Sequence, residues 1–310
     1  MMNTILLFYK YVQIEYPKSV MKQQRALCQE LGLKGRIILA HEGINATLGG
    51  SKEAAEAYKS YMNASDLFKN IDFKEGHGSD DDFPRLRVVV KDEIVHLGLD
   101  TTTVTVADGG QHVTPEQAHA LMEQNPENLV ILDARNDYES RVGTFKNSLT
   151  PDIKNFRDFP KYVDENLAIF KDKQVLMHCT GGIRCERASA YLNQKGVAQK
   201  VYQIEGGIHR YIEKYPQGFF RGKNYVFDGR VTVRVNDDIL TTCDWCKQPC
   251  DDYTNCINSS CNNHFICCVS CLQQHGNSCQ QSCQDALANG TAPVRKKPIP
   301  GSHNHATVTH

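Results

Sequence analysis

Short apolar runs and amphipathic stretches alternate along the first 98 residues. Residues 4–11 and 35–40 are rich in aliphatic and aromatic side chains, which predicts strands, whereas residues 18–31 carry apolar side chains at helical spacing. A short strand at 46–49, a helix at 52–62 and closing strands at 85–90 and 93–97 complete the pattern. The order β-α-β-β-α-β, followed by the second closing strand, predicts a ferredoxin-like, acylphosphatase-like α+β sandwich over residues 1–98.

Residues 113–220 show a different alternation, in which continuous apolar strands are separated by helices. The strands are predicted at 129–132, 174–178 and 200–204, and the helices at 115–123, 184–194 and 207–215. Such a pattern is typical of a parallel sheet covered on both faces, an α/β domain. Chemistry in these sheets lies beyond the carboxyl ends of the strands, where Asp133, Cys179 and Glu205 all fall. Residues 99–112, rich in Thr, Gly and Asp, are predicted to be a linker.

Composition limits the possible functions. The chain has 310 residues, with 35 Lys and Arg against 36 Asp and Glu, so its formal net charge is -1. A uniformly basic surface is therefore excluded, and any nucleic-acid contact must come from a local patch. No apolar run approaches the roughly 20 residues that cross a bilayer, and the start lacks the features of a secretion signal. We expect a cytoplasmic protein.

The segment from Cys179 to Arg184 reads Cys-Thr-Gly-Gly-Ile-Arg and joins a strand to a helix. Gly181 and Gly182 allow successive backbone N–H groups to turn inward and form a cradle for an anion, to which the helix N-terminus adds positive potential. Both effects, together with the Arg184 cation, would hold Cys179 ionised, exposed and nucleophilic. The alternative is a buried cysteine before a tight turn.

This loop resembles the active-site loop of rhodaneses, and the resemblance extends over residues 114–220. Asp133-Ala134-Arg135 is similar to the family's D-x-R, and Glu205-Gly206-Gly207 to its late Gly-Gly turn. The resemblance implies a sulfurtransferase fold with a persulfide on Cys179, and the C-x4-R spacing disfavours a phosphatase. Asp133 and Arg135 either support the chemistry or form a salt-bridged turn.

Cys185 follows Arg184 directly and departs from a plain sulfurtransferase loop. A second thiol there would resolve an oxidised or persulfidated Cys179 as a disulfide. It serves equally well as a small residue that packs the helix on the sheet. Both interpretations stay open.

Four motifs in order extend the resemblance to residues 4–285: AHEGINATLGG, CTGGIRCE, FRGKNYVFDGR and a terminal cysteine cluster. Together they are similar to the bacterial oxygen-dependent tRNA uridine hydroxylases. This resemblance implies hydroxylation of the wobble uridine, position 34, at C5, with molecular oxygen, an unidentified electron donor, and no flavin or nucleotide cofactor. It also implies that Cys179 is required. The alternatives are a rhodanese-type sulfurtransferase and a non-catalytic, zinc-bearing tRNA-binding protein.

Ten of the thirteen cysteines lie between Cys243 and Cys283, and without an export signal such a cluster favours metal over disulfides. They form four pairs: Cys243/Cys246, Cys256/Cys261, Cys268/Cys271 and Cys279/Cys283. Pairs one and three would bind one structural zinc and pairs two and four another, in a cross-braced arrangement. Cys250 and Cys267 are left over, and His264 is a reserve ligand. Four-sulfur sites favour zinc without excluding an iron–sulfur cluster.

Aromatic and basic residues alternate at the start of segment 221–285, namely Arg221, Lys223, Tyr225, Phe227 and Arg230. Rings that stack on bases and cations that bind phosphates are typical of single-stranded RNA recognition, which suits an anticodon loop. The alternative is an inter-domain seam with solvated cations. We expect Arg36, Arg85 and Arg87 to extend the basic surface. Residues 286–310 are predicted to be a disordered tail, in which Arg295, Lys296 and Lys297 add loose phosphate contacts.

Overall fold

The computed structural model describes residues 3–295, and its first domain contains five strands and two helices. In chain order these are β1 (Asn3–Tyr11), α1 (Pro17–Glu30), β2 (Lys34–Ala40), β3 (Gly43–Gly50), α2 (Lys52–Ala64), β4 (Lys74–Gly78) and β5 (Leu86–Val90). The strand order is β4-β1-β3-β2-β5, with β5 parallel to β2 and the other pairs antiparallel. The ferredoxin-like sandwich predicted from the sequence is confirmed.

The two faces of this sheet have different partners because side chains alternate along a strand. Leu6, Phe8, Ile37 and Leu48 are fully buried or nearly so in the core under α1 and α2. The intervening side chains, such as Leu7, face away from this core. The second face is therefore free to form one wall of the site described below.

Two elements of this domain differ from the prediction. The segment at 93–97 is a loop, because the Glu93 carboxylate accepts hydrogen bonds from the N–H groups of Leu97 and Gly98 at 3.0 Å. Strand β4 was not predicted, since its sequence KEGHG has no apolar alternation. It is an edge strand that pairs with β1 through its backbone.

The second domain is the predicted α/β unit. Its elements are β6 (Gln111–Val113), α3 (Pro115–Gln124), β7 (Leu129–Asp133), α4 (Asp137–Ser140), β8 (Gly143–Phe145), β9 (Ser148–Leu149), α5 (Phe159–Glu165), α6 (Leu167–Phe170), β10 (Gln174–His178), α7 (Ile183–Lys195), β11 (Lys200–Ile204) and α8 (Gly207–Lys214). The main sheet has the order β6-β11-β10-β7-β9, and all its pairs are parallel. The predicted linker ends early, because Gln111 already begins the edge strand β6.

The third part of the chain contains β12 (Phe220–Tyr225), β13 (Thr232–Arg234), β14 (Tyr253–Asn255), β15 (His264–Ile266), α9 (Val269–His275) and α10 (Gln281–Ala288). Strand β12 is antiparallel to β8 and so fixes this part to the second domain. Within residues 3–295, no helix combines the length and apolarity needed to cross a membrane.

The disordered-tail prediction is wrong for residues 286–295. Helix α10 continues to Ala288, and the backbone N–H of Arg295 donates to Ile257 O at 2.8 Å. A bridge between Asn258 and Val294 holds the same segment. Residues 296–310, including Lys296 and Lys297, lie outside the described part of the chain.

A buried arginine joins the first two domains. Arg187 on α7 is 0% exposed and donates to Glu93 at 2.8 Å and to Leu99 O at 2.9 Å, with Glu42 at 3.4 Å. A second link runs from the Tyr9 hydroxyl to Glu186 at 2.9 Å. These contacts place the free face of the first sheet over the carboxyl ends of the parallel strands.

Candidate active site

A cavity of about 650 Å³ lies where the three parts of the chain meet. Its walls are the free face of the first sheet, the loop after β10 and the segment after β12. Most lining side chains are apolar or aromatic, including Ile5, Leu7, Ile38 and Phe227. A largely apolar cavity with a few polar groups, of roughly 300–1,000 Å³, is typical of sites for small organic molecules.

Cys179 lies on the wall of this cavity, directly after β10. Gly182 has a φ of 101°, which other residues rarely adopt, and its N–H points at Cys179 Sγ at 3.2 Å. The backbone N–H groups of Arg184 and Cys185 at the start of α7 also point at this sulfur. The loop thus has the anion-cradling geometry expected from its two glycines. Cys179 is 0% exposed, however, so it faces the cavity and not bulk solvent.

The surroundings of Cys179 stabilise its thiolate. Burial alone would raise the pKa of this thiol, but hydrogen bonding from Cys185, the Arg184 charge and the backbone N–H groups outweigh it and lower the pKa to about 5. At neutral pH the sulfur is therefore ionised, which makes it nucleophilic.

Arg184 supplies the cation that the sequence predicted beside Cys179, and a buried carboxylate pairs with it. Its guanidinium donates to the Glu139 carboxylate at 2.5 and 2.7 Å, and both side chains are buried. Burial by itself would lower the pKa of Arg184. The charge and hydrogen bonds of Glu139 have the larger, opposite effect, so the pKa lies above its usual value and the group stays charged. The ring of Phe227 lies 5.6 Å from the guanidinium carbon. Arg184 acts on Cys179 as half of an ion pair.

Cys185 lies on α7 and is fully buried beside Cys179. Burial, followed by the hydrogen bond and charge of Cys179, raises the pKa of Cys185 well above its usual value. The neutral Cys185 thiol is thus a donor to the Cys179 thiolate. This proximity is compatible with both the resolving and the packing interpretations.

Asp133 and Arg135 do not line the cavity. They form a fully buried ion pair, in which Arg135 Nε and a terminal nitrogen donate to the Asp133 carboxylate at 2.9 and 2.7 Å. Thr144 donates to the same carboxylate and Arg135 also donates to Gly143 O, so the pair braces β7 against β8. The structure therefore has the salt-bridged turn, and a direct part for these residues in the chemistry is not supported.

The late glycine turn holds the cysteine loop in place. The N–H of Ile208 donates to Cys179 O at 2.9 Å, and the N–H of His209 to Thr180 O at 3.0 Å. Gly207 packs so closely that an added Cβ would lie 2.3 Å from Cys179 O. This contact explains why a glycine is required there.

Several cavity residues from the first domain and α8 were missed by the sequence analysis. Lys74 on β4 is 2% exposed, binds Asp72 at 2.8 Å, and lies with His209 and Tyr9 on the cavity wall. A Cβ added to Gly181 would lie 3.2 Å from Leu7 Cδ2. The first domain thus closes directly over the cysteine loop. No signal in the polar β4 sequence could have revealed this.

The five predicted RNA-binding residues separate into two groups. Tyr225, Phe227 and Arg230 line the cavity. Lys223 is buried in ion pairs with Asp251 at 2.7 Å and Asp252 at 2.6 Å, so it is not available to RNA. Arg221 does not line the cavity either, and it donates to Gly218 O and pairs with Asp238 at 3.3 Å. Burial and the ion pairs with later aspartates therefore do not support RNA binding by Lys223, whereas RNA binding by Arg221 stays a prediction.

The cysteine-rich part forms two groups of four sulfurs, whose Sγ atoms lie within 4.8 Å of one another. One group contains Cys243, Cys246, Cys268 and Cys271, and the other contains Cys256, Cys261, Cys279 and Cys283. This is the predicted cross-braced pairing. Sulfur separations of 3.7 Å (Cys246–Cys268) and 3.6 Å (Cys261–Cys279) match the roughly 3.8 Å edge of a tetrahedron with 2.3 Å zinc–sulfur bonds. Both groups can hold a metal ion and fit structural zinc.

Cys250 and Cys267 belong to neither group, and burial raises the pKa of both thiols. His264, the reserve ligand, stacks on Tyr253 with ring centres 4.2 Å apart and lines the cavity with Asn255. The metal module therefore supplies part of the cavity wall.

Comparison with known families divides the chain in the same way. Residues 3–94 match the UPF0176 acylphosphatase like domain, residues 114–214 the Rhodanese-like domain, and residues 221–284 the family described as Rhodanase C-terminal.

Relatives of known name match over most of the chain. A tRNA uridine(34) hydroxylase of Corynebacterium jeikeium is 41% identical, covering 86% of this chain and 89% of the relative. The enzyme of the same name from Cytophaga hutchinsonii is 41% identical and covers 90% of this chain and 89% of the relative. The one from Chlamydia abortus is 36% identical and covers 96% of this chain and 92% of the relative.

Proposed function

The chain belongs to the tRNA uridine(34) hydroxylase family, and we propose that it converts uridine 34 of tRNA to 5-hydroxyuridine inside the cavity that Cys179 lines. The observation that carries this proposal is the thiolate-stabilising loop enclosed by three domains, in a chain that matches named hydroxylases along most of its length. Since the substrate is tRNA, we place the reaction in the cytoplasm.

The cavity suits a single pyrimidine nucleotide turned out of its loop. Enzymes that act on a base take it out of the stack and bind it between apolar or aromatic side chains. Tyr225 and Phe227 offer such faces, with their ring centres 5.5 Å apart. Arg230 is held on the same wall by Asp228 at 2.6 and 2.8 Å. These residues would hold the uracil ring near Cys179.

The overall reaction consumes one O2, two electrons and two protons, and it yields 5-hydroxyuridine and one water. We propose molecular oxygen as the oxidant and an external two-electron donor of the thiol class as the reductant. This balance does not require a flavin, because addition of the thiolate to the uracil ring makes C5 a carbanion that can react with O2.

In the first route, the Cys179 thiolate adds to C6 of uracil, which breaks the C5–C6 double bond and places negative charge on C5 and O4. C5 then bonds to O2, and one proton completes a hydroperoxide. Two electrons and two protons cleave its O–O bond, releasing water and leaving a C5 hydroxyl. Loss of the C5 proton then expels the thiolate and restores the double bond. The buried Cys185 thiol and the Arg184–Glu139 pair stabilise Cys179 as a thiolate, which is both the nucleophile in the first step and the leaving group in the last.

In the second route, the Cys179 thiolate, O2 and one proton form a sulfur-bound hydroperoxide. Its O–O bond breaks as the outer oxygen bonds to C5, and the C5 hydrogen leaves as a proton. The sulfenic acid left on Cys179 is reduced by two electrons to thiolate and water, so the overall consumption is the same. Both routes need the sulfur of Cys179.

The two cysteine groups would each hold a zinc ion. The role of these ions would be structural, because they would stabilise the module that carries the cavity residues Asn255 and His264.

The test is the purified full chain with unmodified tRNA, oxygen and a dithiol, followed by mass spectrometry of the nucleosides. We expect 5-hydroxyuridine from the wild type and none from Cys179→Ser. Cys28→Ser is the matched control, because Cys28 is equally buried but lies in the core of the first domain. Hydroxylation by Cys179→Ser at the wild-type rate would contradict the proposal.

A sulfurtransferase is the second candidate, and it rests on the match of residues 114–214 to the rhodanese-like domain. It predicts a persulfide on Cys179 and cyanide-dependent release of sulfur from a small donor. Sulfur release together with unchanged tRNA nucleosides would favour this candidate over hydroxylation.

A further inference from the structure

The free face of the first sheet carries a cluster of four cations near its outer edge, which we call the edge patch: Lys34, Arg36, Arg85 and Arg87. Arg36 on β2 lies beside Arg87 on β5 in the parallel register. Lys34 and Arg85 lie two residues before Arg36 and Arg87 and therefore on the same face of the sheet. The two chain segments are joined there by a hydrogen bond of 3.2 Å from Gly35 N to Arg85 O. All four residues are exposed.

The edge patch is not neutralised by the protein. In the described residues 3–295, no carboxylate forms an ion pair with any of its four members. Several cations elsewhere are paired, such as Arg184 with Glu139 and Arg210 with Asp72. Partial burial and the neighbouring Arg87 charge lower the pKa of Arg36, which reflects the cost of holding two like charges together. In a chain of net charge -1, such a cluster is a local positive patch that is available to an external anion.

The edge patch is continuous with the cavity. One row crosses all five strands in the order Lys74, Leu7, Thr47, Arg36, Arg87. Leu7 contacts the cysteine loop at Gly181, and Arg36 itself lines the cavity. Two strand spacings separate Leu7 from Arg36, which is about 10 Å. A polyanion whose reacting group occupies the cavity would therefore lie across these cations.

We propose that the edge patch binds the backbone phosphates of the anticodon loop next to the uridine in the cavity, so that the first sheet is an RNA-docking surface. This inference rests on the proposed function. Along a strand, residues two apart are about 6.6 Å apart, and neighbouring strands are about 4.8 Å apart. The four side chains thus form a grid that can follow a single-stranded backbone, with affinity supplied by charge and release of counterions.

The experiment compares tRNA binding by the full-length wild type, R36Q/R87Q and K171Q/K200Q over a range of salt concentrations. The control removes the same charge from the amino ends of β10 and β11, away from the Cys179 rim, where both lysines are exposed. We expect R36Q/R87Q to weaken binding about tenfold and to reduce the slope of log Kd against log salt by about 1.4, or about 0.7 for each lost contact with single-stranded RNA. The control should bind like the wild type, and equal melting temperatures would show intact folding.

A second measurement tests direct contact. A hairpin with the anticodon loop is synthesised with uncharged methylphosphonates on either side of uridine 34. This hairpin should bind the wild type more weakly than the normal one, whereas R36Q/R87Q should discriminate less between the two. Equal losses for both proteins would overturn the inference.

The outcomes separate the two proposals. If the wild type hydroxylates tRNA but R36Q/R87Q keeps its Kd and salt slope, the docking surface is wrong and the proposed function stands. If R36Q/R87Q loses binding while the wild type makes no 5-hydroxyuridine, the docking surface stands and the proposed function is wrong. Self-association that depends on the edge patch, with unchanged tRNA binding, would also overturn the inference.

Discussion

Arg184 and Glu139 form a buried, two-point ion pair next to the reactive sulfur, with hydrogen bonds of 2.5 and 2.7 Å. Glu139 is 0% exposed and comes from α4, whereas Arg184 comes from the first turn of α7. The pair thus joins the cysteine loop to the segment between β7 and β8. It also holds the guanidinium of Arg184, the positive charge of the loop, at a fixed position near the thiolate.

We expect Glu139→Gln to destabilise the fold by about 3–5 kcal/mol, because it leaves a buried guanidinium without its counter-charge. The measurement is the free energy of unfolding in denaturant. The double variant E139Q/R184M should recover much of the loss, since it removes both charges. If the single variant were as stable as the wild type, the pair would not have the structural part assigned to it.

Gly207→Ala should disturb Cys179 itself, because an added Cβ would lie 2.3 Å from Cys179 O. Gly196→Ala is a matched control: its φ is +65° against +63° for Gly207, but a Cβ there meets nothing within 4 Å. The control should lose about 1–2 kcal/mol from backbone strain alone. Gly207→Ala should lose more, and it should also raise the pKa of Cys179 by displacing the loop. Equal effects of the two variants would contradict the close packing.

The two cysteine groups predict about two zinc ions per chain. Cys268→Ser should lose one ion and lower the melting temperature, and because the module carries His264, hydroxylation should fall as well. Cys250→Ser is the control, since Cys250 belongs to neither group. Metal analysis of freshly purified protein is the test, and fewer than one ion per wild-type chain would contradict the assignment.

The sequence predicted the architecture well where local pattern determines it. The strands at 174–178 and 200–204 agree with β10 and β11, because buried parallel strands are continuous apolar runs. The metal pairing was also predicted, because the C-x2-C spacings of Cys243/Cys246 and Cys268/Cys271 are typical of zinc ligands and a cross-braced arrangement joins alternate pairs. Strand β4 was missed because an edge strand needs only backbone pairing and carries no apolar signal.

The site was predictable only within one loop. Residues near Cys179 in the chain, such as Gly182, were identified from their spacing. The partners that decide the charge of each residue come from far away: Glu139 neutralises Arg184, and Asp251 neutralises Lys223. Lys74 and Leu7 reach the cavity because a separate domain docks there. Such tertiary contacts leave no pattern in the local sequence.

The account depends most on the ionised state of Cys179, and its pH-dependent alkylation tests that state directly. Iodoacetamide labelling of this residue is followed by peptide mass spectrometry from pH 4 to pH 9, with Cys28, whose pKa burial raises to about 12, as the internal reference. Because the pKa of Cys179 is lowered to about 5, its labelling rate should rise through about pH 5 and be constant from about pH 6.5 upward. A rate that instead rises through pH 8–9, like an ordinary thiol, would contradict the account.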